Sequence, residues 1–419
     1  MHVKTGKLSR LHWGAGLAAA VLVLALAVYG PPALKAAAPQ DYEALRLYTE
    51  ALFEISQKYV TPKSEEDMIY GSLRGMMNSL DPDCSFLTPR EYQDYLEGKK
   101  GPGGEAGVDL IYKDNLLTVA SALDGGPAWR AGLRPGDHIL KINGQLARNL
   151  TTQEGARRFR GAPGTTIKLQ VIRNGLVKPL DLSVTLEEPL KAGSVAFQVL
   201  PDSCGYVRIK YFTGETPGEL TAALKALLSY RPALKGLVLD LRNNARGTLE
   251  QAVRSATVLV GEKEIVAVKG RGPESSQTYM GKARGIAVKS PLPPLVVLTD
   301  QGTARAAEIM AGALRDQDQA VLLGAKTLGL CGLTKAMPLV DGSALVMTVA
   351  TCYTPNGAKI QGKGLEPEVA GKPLVAKPGG EKAGPPAPDQ DPWVLQAVDL
   401  LKSGKARHVA IKGPKQEAP

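Results

Sequence analysis

Gly236-Leu-Val-Leu-Asp-Leu-Arg-Asn-Asn244 is an apolar run broken only by Asp240 and closed by polar residues. A short, near-continuous apolar run of this kind reads as a strand buried on both faces, which belongs to a parallel sheet. Working outward, Tyr206–Tyr211 reads as a strand before it, and Leu220, Leu224 and Leu227 mark one face of the helix between them. Downstream, Leu295–Leu298 and Ala320–Leu323 are two more buried strands, separated by a helix over Ala306–Leu314. Strands alternating with helices predict a mixed, largely parallel sheet covered by helices, an α/β core over residues 189–370.

Beyond that core, Asp341-Gly342 is a strong hairpin turn. A two-residue loop with no bulge sets Cys331 opposite Cys352. Two outcomes stand open: a cross-hairpin disulfide, which needs an oxidising compartment, or two buried thiols. Cys84 with Cys204 is a weaker pairing. No two cysteines have metal-cluster spacing, so no metal and no cofactor is expected. The histidines are His2, His12, His138 and His408. None lies between residues 139 and 407, which excludes a Ser-His-Asp triad or a histidine-ligated zinc there.

The 419 residues suggest two to three domains. Lys and Arg number 51 against 41 Asp and Glu, a net charge of +10. No basic stripe interleaved with aromatics accompanies that excess, so it reads as solubility and not as nucleic-acid binding. Lys4, Lys7 and Arg10 precede an uncharged run from Leu11 to Leu34. This is the pattern of an uncleaved membrane anchor or a signal peptide over residues 1–38, and either places the rest of the chain outside the cytoplasm. Ala36-Ala-Ala38 offers a cleavage site, with Pro39 directly after it.

Residues 39–99 read as helical. Leu45, Tyr48, Leu52, Ile55 and Tyr59 form one helical face, and Ile69, Leu73, Met76 and Leu80 a second, read as core. Thr61-Pro62 and Asp81-Pro82 end these helices. Residues 371–390 are rich in Pro, Gly, Lys and Ala, a flexible linker. Within 391–419 a short helix over Asp391–Lys402 docks back, followed by a tail.

Between the helical region and the core, residues 100–188 alternate short strands and turns. The stretch Gly126-Pro-Ala-Trp-Arg-Ala-Gly-Leu-Arg-Pro-Gly-Asp-His-Ile-Leu-Lys-Ile-Asn-Gly-Gln145 resembles a PDZ domain. The resemblance implies that a protein C-terminus adds as a strand to a sheet edge. Its terminal carboxylate would be held by backbone amides of the loop at Gly107, Val108, Asp109 and Leu110.

The chain from about 41 to 402 resembles the carboxy-terminal processing peptidases, also called tail-specific proteases. Besides the PDZ segment, the resemblance rests on Gly75–Pro82, Ser85–Thr88, Gly236–Asn244, Gly302–Leu314, Tyr353–Gly357 and Gln361–Leu365. It implies an exported protein: a helical N-terminus, an inserted PDZ domain and a helix-covered α/β peptidase-like core. The family's chemistry is a Ser-Lys dyad, in which a lysine of lowered pKa takes the serine proton and two backbone amides hold the oxyanion.

Here the pattern Gly-Ser-Ala-Ser-Ala-Ser-Glu-Ile reads Gly302-Thr-Ala-Arg-Ala-Ala-Glu-Ile309, so Arg305 stands at the nucleophile position. Leu330 stands at the lysine position and Thr334 at that of a supporting glutamine. The oxyanion loop Asn-Pro-Gly-Gly reads Asn244-Ala-Arg-Gly247, leaving Arg246, Gly247 and Ala306 at the oxyanion positions. Two classes of function follow from the resemblance. One is a pseudoprotease that binds C-terminal peptides of exported proteins as scaffold or regulator, with an active homologue or further copies of this chain as partners. The other is an active serine-type endopeptidase whose dyad has moved to Thr303, Lys326 or Lys335. Arg305 and Glu308 are expected to pair on the helix surface, and Arg246 with Arg305 either fill a collapsed cleft or bind an anion.

Overall fold

The computed structural model describes residues 39–97, 103–113, 116–148, 150, 152–189, 193–282, 292–372 and 386–406. The apolar run at Leu11–Leu34, most of the linker and the tail after Ala406 lie outside them. Among the described residues no helix is long and apolar enough to cross a membrane.

Two compact units divide at Ile69. The first contains α1 (Pro39–Lys58), whose Leu45, Tyr48, Ile55 and the following Tyr59 are exposed, so that apolar stripe is not a core face. The second unit holds everything from Tyr70 on, including most of α2 (Glu65–Asn78). In α2 the expected stripe is out of phase: Met76 and Leu80 are exposed and Met77 is buried. The helix packs Tyr70, Leu73 and Met77 around Phe86 and Cys84, an equally good helical spacing. Phe86 belongs to β1 (Ser85–Leu87), which leads through a Thr88 capping box into α3 (Pro89–Leu96).

The PDZ segment follows in chain order as β2 (Gly104–Glu105), β3 (Val108–Lys113), β4 (Leu116–Ala122), α4 (Pro127–Arg130), β5 (His138–Ile142), β6 (Gln145–Leu146), α5 (Thr152–Arg158), β7 (Arg160–Gly161), β8 (Thr166–Ile172) and β9 (Leu180–Thr185). Its main sheet runs β3-β4-β5-β8-β9, which leaves β3 at an edge. Leu110, Leu117, Val119, Trp129, Leu133, Ile139, Phe159, Ile167, Leu169 and Val171 fill its interior. His138 hydrogen-bonds Thr118 inside this sheet, a structural role.

The core continues with β10 (Val195–Leu200), β11 (Cys204–Ile209), α6 (Thr216–Leu228), β12 (Gly236–Asp240), α7 (Leu249–Val260), β13 (Glu264–Gly270), β14 (Gln277–Met280), β15 (Leu295–Thr299), α8 (Ala306–Asp316), β16 (Ala320–Gly324), β17 (Gly332–Pro338), β18 (Ala344–Tyr353), β19 (Val369–Ala370) and α9 (Pro392–Lys402). The main sheet is ordered β10-β11-β12-β15-β16-β19, parallel except for β10. Alternate residues of its strands face opposite layers, as pleating requires. Val207, Leu237, Leu239, Val297 and Leu322 pack with α6, α7 and α8, whereas Tyr206, Val238, Val296 and Leu323 pack with Trp393, Val394, Ala397 and Leu401 of α9.

A second sheet, β1-β18-β13-β14 with β17 also on β18, was not expected from the sequence. Its hairpin differs from a two-residue turn. Pro338 pairs with Ala344 and Leu339 with Ser343, so Val340-Asp-Gly342 form the loop, in which Asp341 accepts from the Ser343 amide and hydroxyl. A bulge at Leu333/Thr334 then takes up one residue on β18 and returns Gly332 to Thr351. The two irregularities compensate, and Cys331 and Cys352 are joined by a disulfide with Cα atoms 5.5 Å apart. Cys84 and Cys204 are buried free thiols instead of a second pair.

The disulfide spans 21 residues. Closing a loop of that length removes about 3 kcal/mol of unfolded-state entropy. Chemical reduction, or Cys331→Ala with Cys352→Ala, is expected to lower unfolding stability by about that amount in denaturant titration. An unchanged midpoint would mean that the cross-link contributes nothing.

Candidate active site

The α8 N-terminus is the centre of the site. Arg305 caps it with φ +52° and ψ −116°, outside the ordinary left-handed well. Such a conformation costs on the order of 1–3 kcal/mol and persists only where its surroundings over-determine it. Here the Arg305 amide donates to Leu330 O at 3.0 Å, and the preceding Ala304 amide to Asn244 O at 2.9 Å. The guanidinium reaches Ala245 O at 3.2 Å and forms an ion pair with Asp83 at 2.6 Å. Asp83 is 10% exposed; burial raises its pKa and Arg305 opposes that. The pairing offsets the conflict between a cation and a helix N-terminus.

Glu308 corrects the expected surface pair with Arg305. It is fully buried, and its carboxylate accepts from the amides of Gly329 (2.7 Å), Leu330 (2.8 Å) and Arg305 (3.2 Å) and from the Thr327 hydroxyl. Burial pushes its pKa up to about 7, against the lowering effect of those hydrogen bonds. Glu308 thus ties the 327–330 loop to the first turn of α8, which sets Leu330 beside Arg305. A lone acid within the apolar stretch Ala306–Leu314 is the sequence signal that could have found it.

Leu330 is 2% exposed and packs with Ala245, Ala304, Ile111 and Ala120. The last two belong to β3 and β4, so the PDZ sheet lies directly on this position. Gly247 has φ +134°, and a Cβ there would meet Phe212 Cβ at 2.5 Å and Ala306 Cβ at 2.9 Å. Glycine at that position lets the 244–247 loop close onto α8. Arg246, the next residue back, points to the PDZ domain: its Nε lies 2.8 Å from both Asp109 oxygens, and Nη1 lies 3.6 Å from Glu105. Both cationic side chains therefore already have acidic partners within the chain. The structure gathers Arg305, Leu330, Gly247 and Ala306 at the α8 N-terminus, whereas Arg246 turns to the PDZ domain and Thr334 is exposed on β17.

The three positions considered for a moved dyad are placed as follows. Thr303 is buried; its hydroxyl accepts from the Asp300 amide and donates to Leu241 O. Lys326 is exposed and pairs with Glu366 at 3.5 Å. Lys335 is exposed.

A buried ion-pair cluster stands at the carboxyl end of β12. Asp240 accepts from Tyr206 OH (2.8 Å), Arg208 (2.7 Å), and the Arg242 guanidinium (2.6 Å) and amide (3.0 Å). Arg208 also pairs with Asp124 of the PDZ segment, and Arg242 with Asp391, the N-cap of α9. A cavity of about 280 Å³ lies beside this cluster and under Pro386–Pro388; it shares no lining residue with positions 305 and 330. Among the described residues no cluster of His, Cys, Asp or Glu is arranged to hold a metal.

The helix-covered, mostly parallel sheet, the PDZ domain and the strained α8 entry together define a peptidase-type α/β fold. The sequence profile of peptidase family S41 matches residues 203–370, and that of the PDZ domain residues 118–173. The chain is 34% identical over 339 residues to the carboxy-terminal-processing protease of Bartonella bacilliformis, covering 80% of this chain and 77% of that one. It is 33% identical over 363 residues to the carboxyl-terminal-processing protease of Synechocystis, covering 84% and 81%. The solved photosystem II D1 C-terminal processing protease superposes with a TM-score of 0.63 at 26% identity, over 78% of this chain and 92% of that one. The chain belongs to the S41 carboxy-terminal processing protease family, with its PDZ domain.

Proposed function

We propose that this chain is a pseudoprotease: an exported tail-binding protein that keeps the family's fold and has lost its chemistry. What carries the reading is the pair of side chains at the dyad positions. Arg305 has no nucleophilic atom and a guanidinium that cannot deprotonate in a protein, so it serves neither as nucleophile nor as base. Leu330 has no lone pair and sits in an apolar contact. Arg246 and Thr334 stand where the family has an oxyanion-loop glycine and a supporting glutamine. The relatives named as proteases therefore do not carry that activity over to this chain. A moved dyad has no support either: the Thr303 hydroxyl is committed to main-chain partners, and Lys326 lies in solvent beside Glu366.

The PDZ domain gives the reading its positive content. The open edge of β3 offers backbone groups to an extended peptide. The expected loop is only the turn at Ala106-Gly107, with Val108, Asp109 and Leu110 already in the strand, and that turn with the start of β3 receives the terminal carboxylate. Held there, a tail is presented or sequestered without being cut, for an active protease of the same family or for another copy of this chain. The disulfide fits an oxidising, extracytoplasmic compartment; the N-terminal anchor or signal belongs to the same reading.

The test is proteolysis of a partly unfolded protein with an apolar C-terminus. The purified chain is expected to leave it intact. A variant combining Arg305→Ser, Leu330→Lys, Arg246→Gly and Thr334→Gln is expected to gain cleavage. Cleavage by the unaltered chain that survives repurification would overturn the reading in favour of a moved nucleophile.

A further inference from the structure

We propose that Arg246 is a positioning residue for tail recognition: the guanidinium that replaces an oxyanion-loop glycine braces the carboxylate-receiving loop of the PDZ domain from the peptidase core. The inference rests on the reading of the PDZ domain as a tail receptor and adds what that receptor requires of this core.

The loop that precedes β3 is poorly suited to an anion by itself. Two acids, Glu105 and Asp109, flank Ala106-Gly-Val108. Part of its amide supply is already committed: Glu105 N–H donates to Glu187 O and Ala106 N–H to Phe159 O. Gly107 turns the chain with φ +68°, a conformation glycine adopts without strain. A peptide carboxylate approaching this turn meets a like charge on either side.

Arg246 answers both acids at once. Nε sits 2.8 Å from each Asp109 oxygen, Nη1 faces Glu105 at 3.6 Å, and Nη2 lies 3.4 Å from Val108 O. Asp109 is held from its other side by the Ser121 hydroxyl at 2.7 Å. The three contacts of the guanidinium therefore bracket Gly107, before and after, and fix the turn while neutralising its surroundings. Against the partial desolvation of the half-buried guanidinium, the acids in return raise its pKa. The direction of approach is set by the neighbouring contact in which Ile111 and Ala120 rest on Ala245, Ala304 and Leu330. A glycine at position 246 has none of these means. The change that spoils the oxyanion loop thus serves recognition, and Leu330, at the base position, helps to seat the domain that Arg246 braces.

The experiment uses the full chain and two labelled peptides that end in small apolar residues, one with a free carboxylate and one with a carboxamide. Arg246→Ala is expected to weaken binding of the carboxylate peptide by about tenfold or more and to leave the carboxamide within about twofold. Adding Asp109→Asn and Glu105→Gln to Arg246→Ala is expected to recover most of that loss, because it removes the charges the arginine offset. Hydrogen exchange of segment 104–111, measured without peptide, is expected to quicken in Arg246→Ala while the melting temperature stays near that of the unaltered chain.

Equal loss for both peptides with unchanged exchange of segment 104–111 would overturn the proposal, and so would unchanged affinity with unchanged exchange. If the unaltered chain binds neither peptide, the receptor reading fails by itself. The exchange of segment 104–111 then still decides whether Arg246 braces the loop, and no change there overturns the inference.

Discussion

Asp240→Ala is expected to cost about 3–5 kcal/mol of unfolding stability. The carboxylate is fully buried and accepts from Tyr206, Arg208 and Arg242. Removing it leaves two guanidiniums, each only 14% exposed, without their shared counter-charge. Replacing the whole cluster by apolar residues would be far milder, since the desolvation of both charges would then vanish with their attraction. The loss also spreads, because Arg208 holds Asp124 of the PDZ segment and Arg242 holds Asp391, which caps α9 through the Trp393 and Val394 amides. Hydrogen exchange is therefore expected to quicken in α9 and around Asp124 before the sheet interior.

The pH dependence of that prediction follows from sign. Burial by itself would raise the Asp240 pKa, but Arg208 and Arg242 outweigh it and hold the carboxyl well below the usual range. A depressed folded-state pKa gives stability that is present above the unfolded value and lost as pH falls through the folded one. The deficit of Asp240→Ala should then be constant from neutral pH down to about 4 and shrink only in stronger acid. A deficit below about 1 kcal/mol at pH 7 in denaturant titration, or one that vanishes already at pH 5, would show the cluster to be energetically idle.

Much of the fold was legible because it is written in local periodicity. Gly236–Asp240, Leu295–Thr299 and Ala320–Gly324 are short apolar runs, and each is a strand buried at every position. The hairpin illustrates a subtler case. Cys331 and Cys352 face each other although the turn is not the two-residue one, because a longer loop and a bulge shift the register by one residue in opposite senses. Of the two outcomes left open, the structure has the disulfide. Phase was less secure than period: α2 buries Met77 and not Met76, since both stripes fit a helix and the choice depends on where Phe86 arrives. The second sheet stayed hidden because β1 and β18 lie far apart in sequence, and nothing in either strand names its partner.

The site divides in the same way. The positions of Arg305, Leu330 and Arg246 were given by resemblance, yet what their side chains touch was not. Asp83 lies 222 residues from Arg305, and Asp109 lies 137 from Arg246. Each of those acids sits in a turn or at the start of a strand where a charge is unremarkable by composition. Only the tertiary structure shows what Arg305, Arg246 and Leu330 touch: an acid for either arginine, and the PDZ sheet for the leucine. These contacts join the α8 entry to the turn at Asp83, and the 244–247 loop to the PDZ domain.

Glu308→Gln carries the second large expectation, and it turns on pH. The carboxylate meets three amides and a hydroxyl in a site without exposure. With a folded-state pKa of about 7 the side chain at pH 5 is the neutral acid, whose hydroxyl oxygen carries one hydrogen yet still accepts. A glutamine instead sets an N–H₂ with no lone pair against those donors, so a destabilisation of about 1–3 kcal/mol is expected near pH 5. Burial raises the Glu308 pKa to about 7, above its unfolded value. A raised folded-state pKa gives stability that is complete below the unfolded pKa and is lost as pH rises through the folded one. The unaltered chain therefore loses up to about 3 kcal/mol of this contribution between pH 5 and 8, and the glutamine variant, which does not titrate, loses none of it. The gap between the two should be widest near pH 5 and narrow toward pH 8 in parallel denaturant titrations. A gap that widens with pH would mean that the ionised carboxylate is the form the four donors were built to hold, and that burial counts for less here than their hydrogen bonds. Because Glu308 ties Leu330 to the Arg305 turn, the same variant should also lose order at 327–330, the segment on which any restored lysine at position 330 would depend.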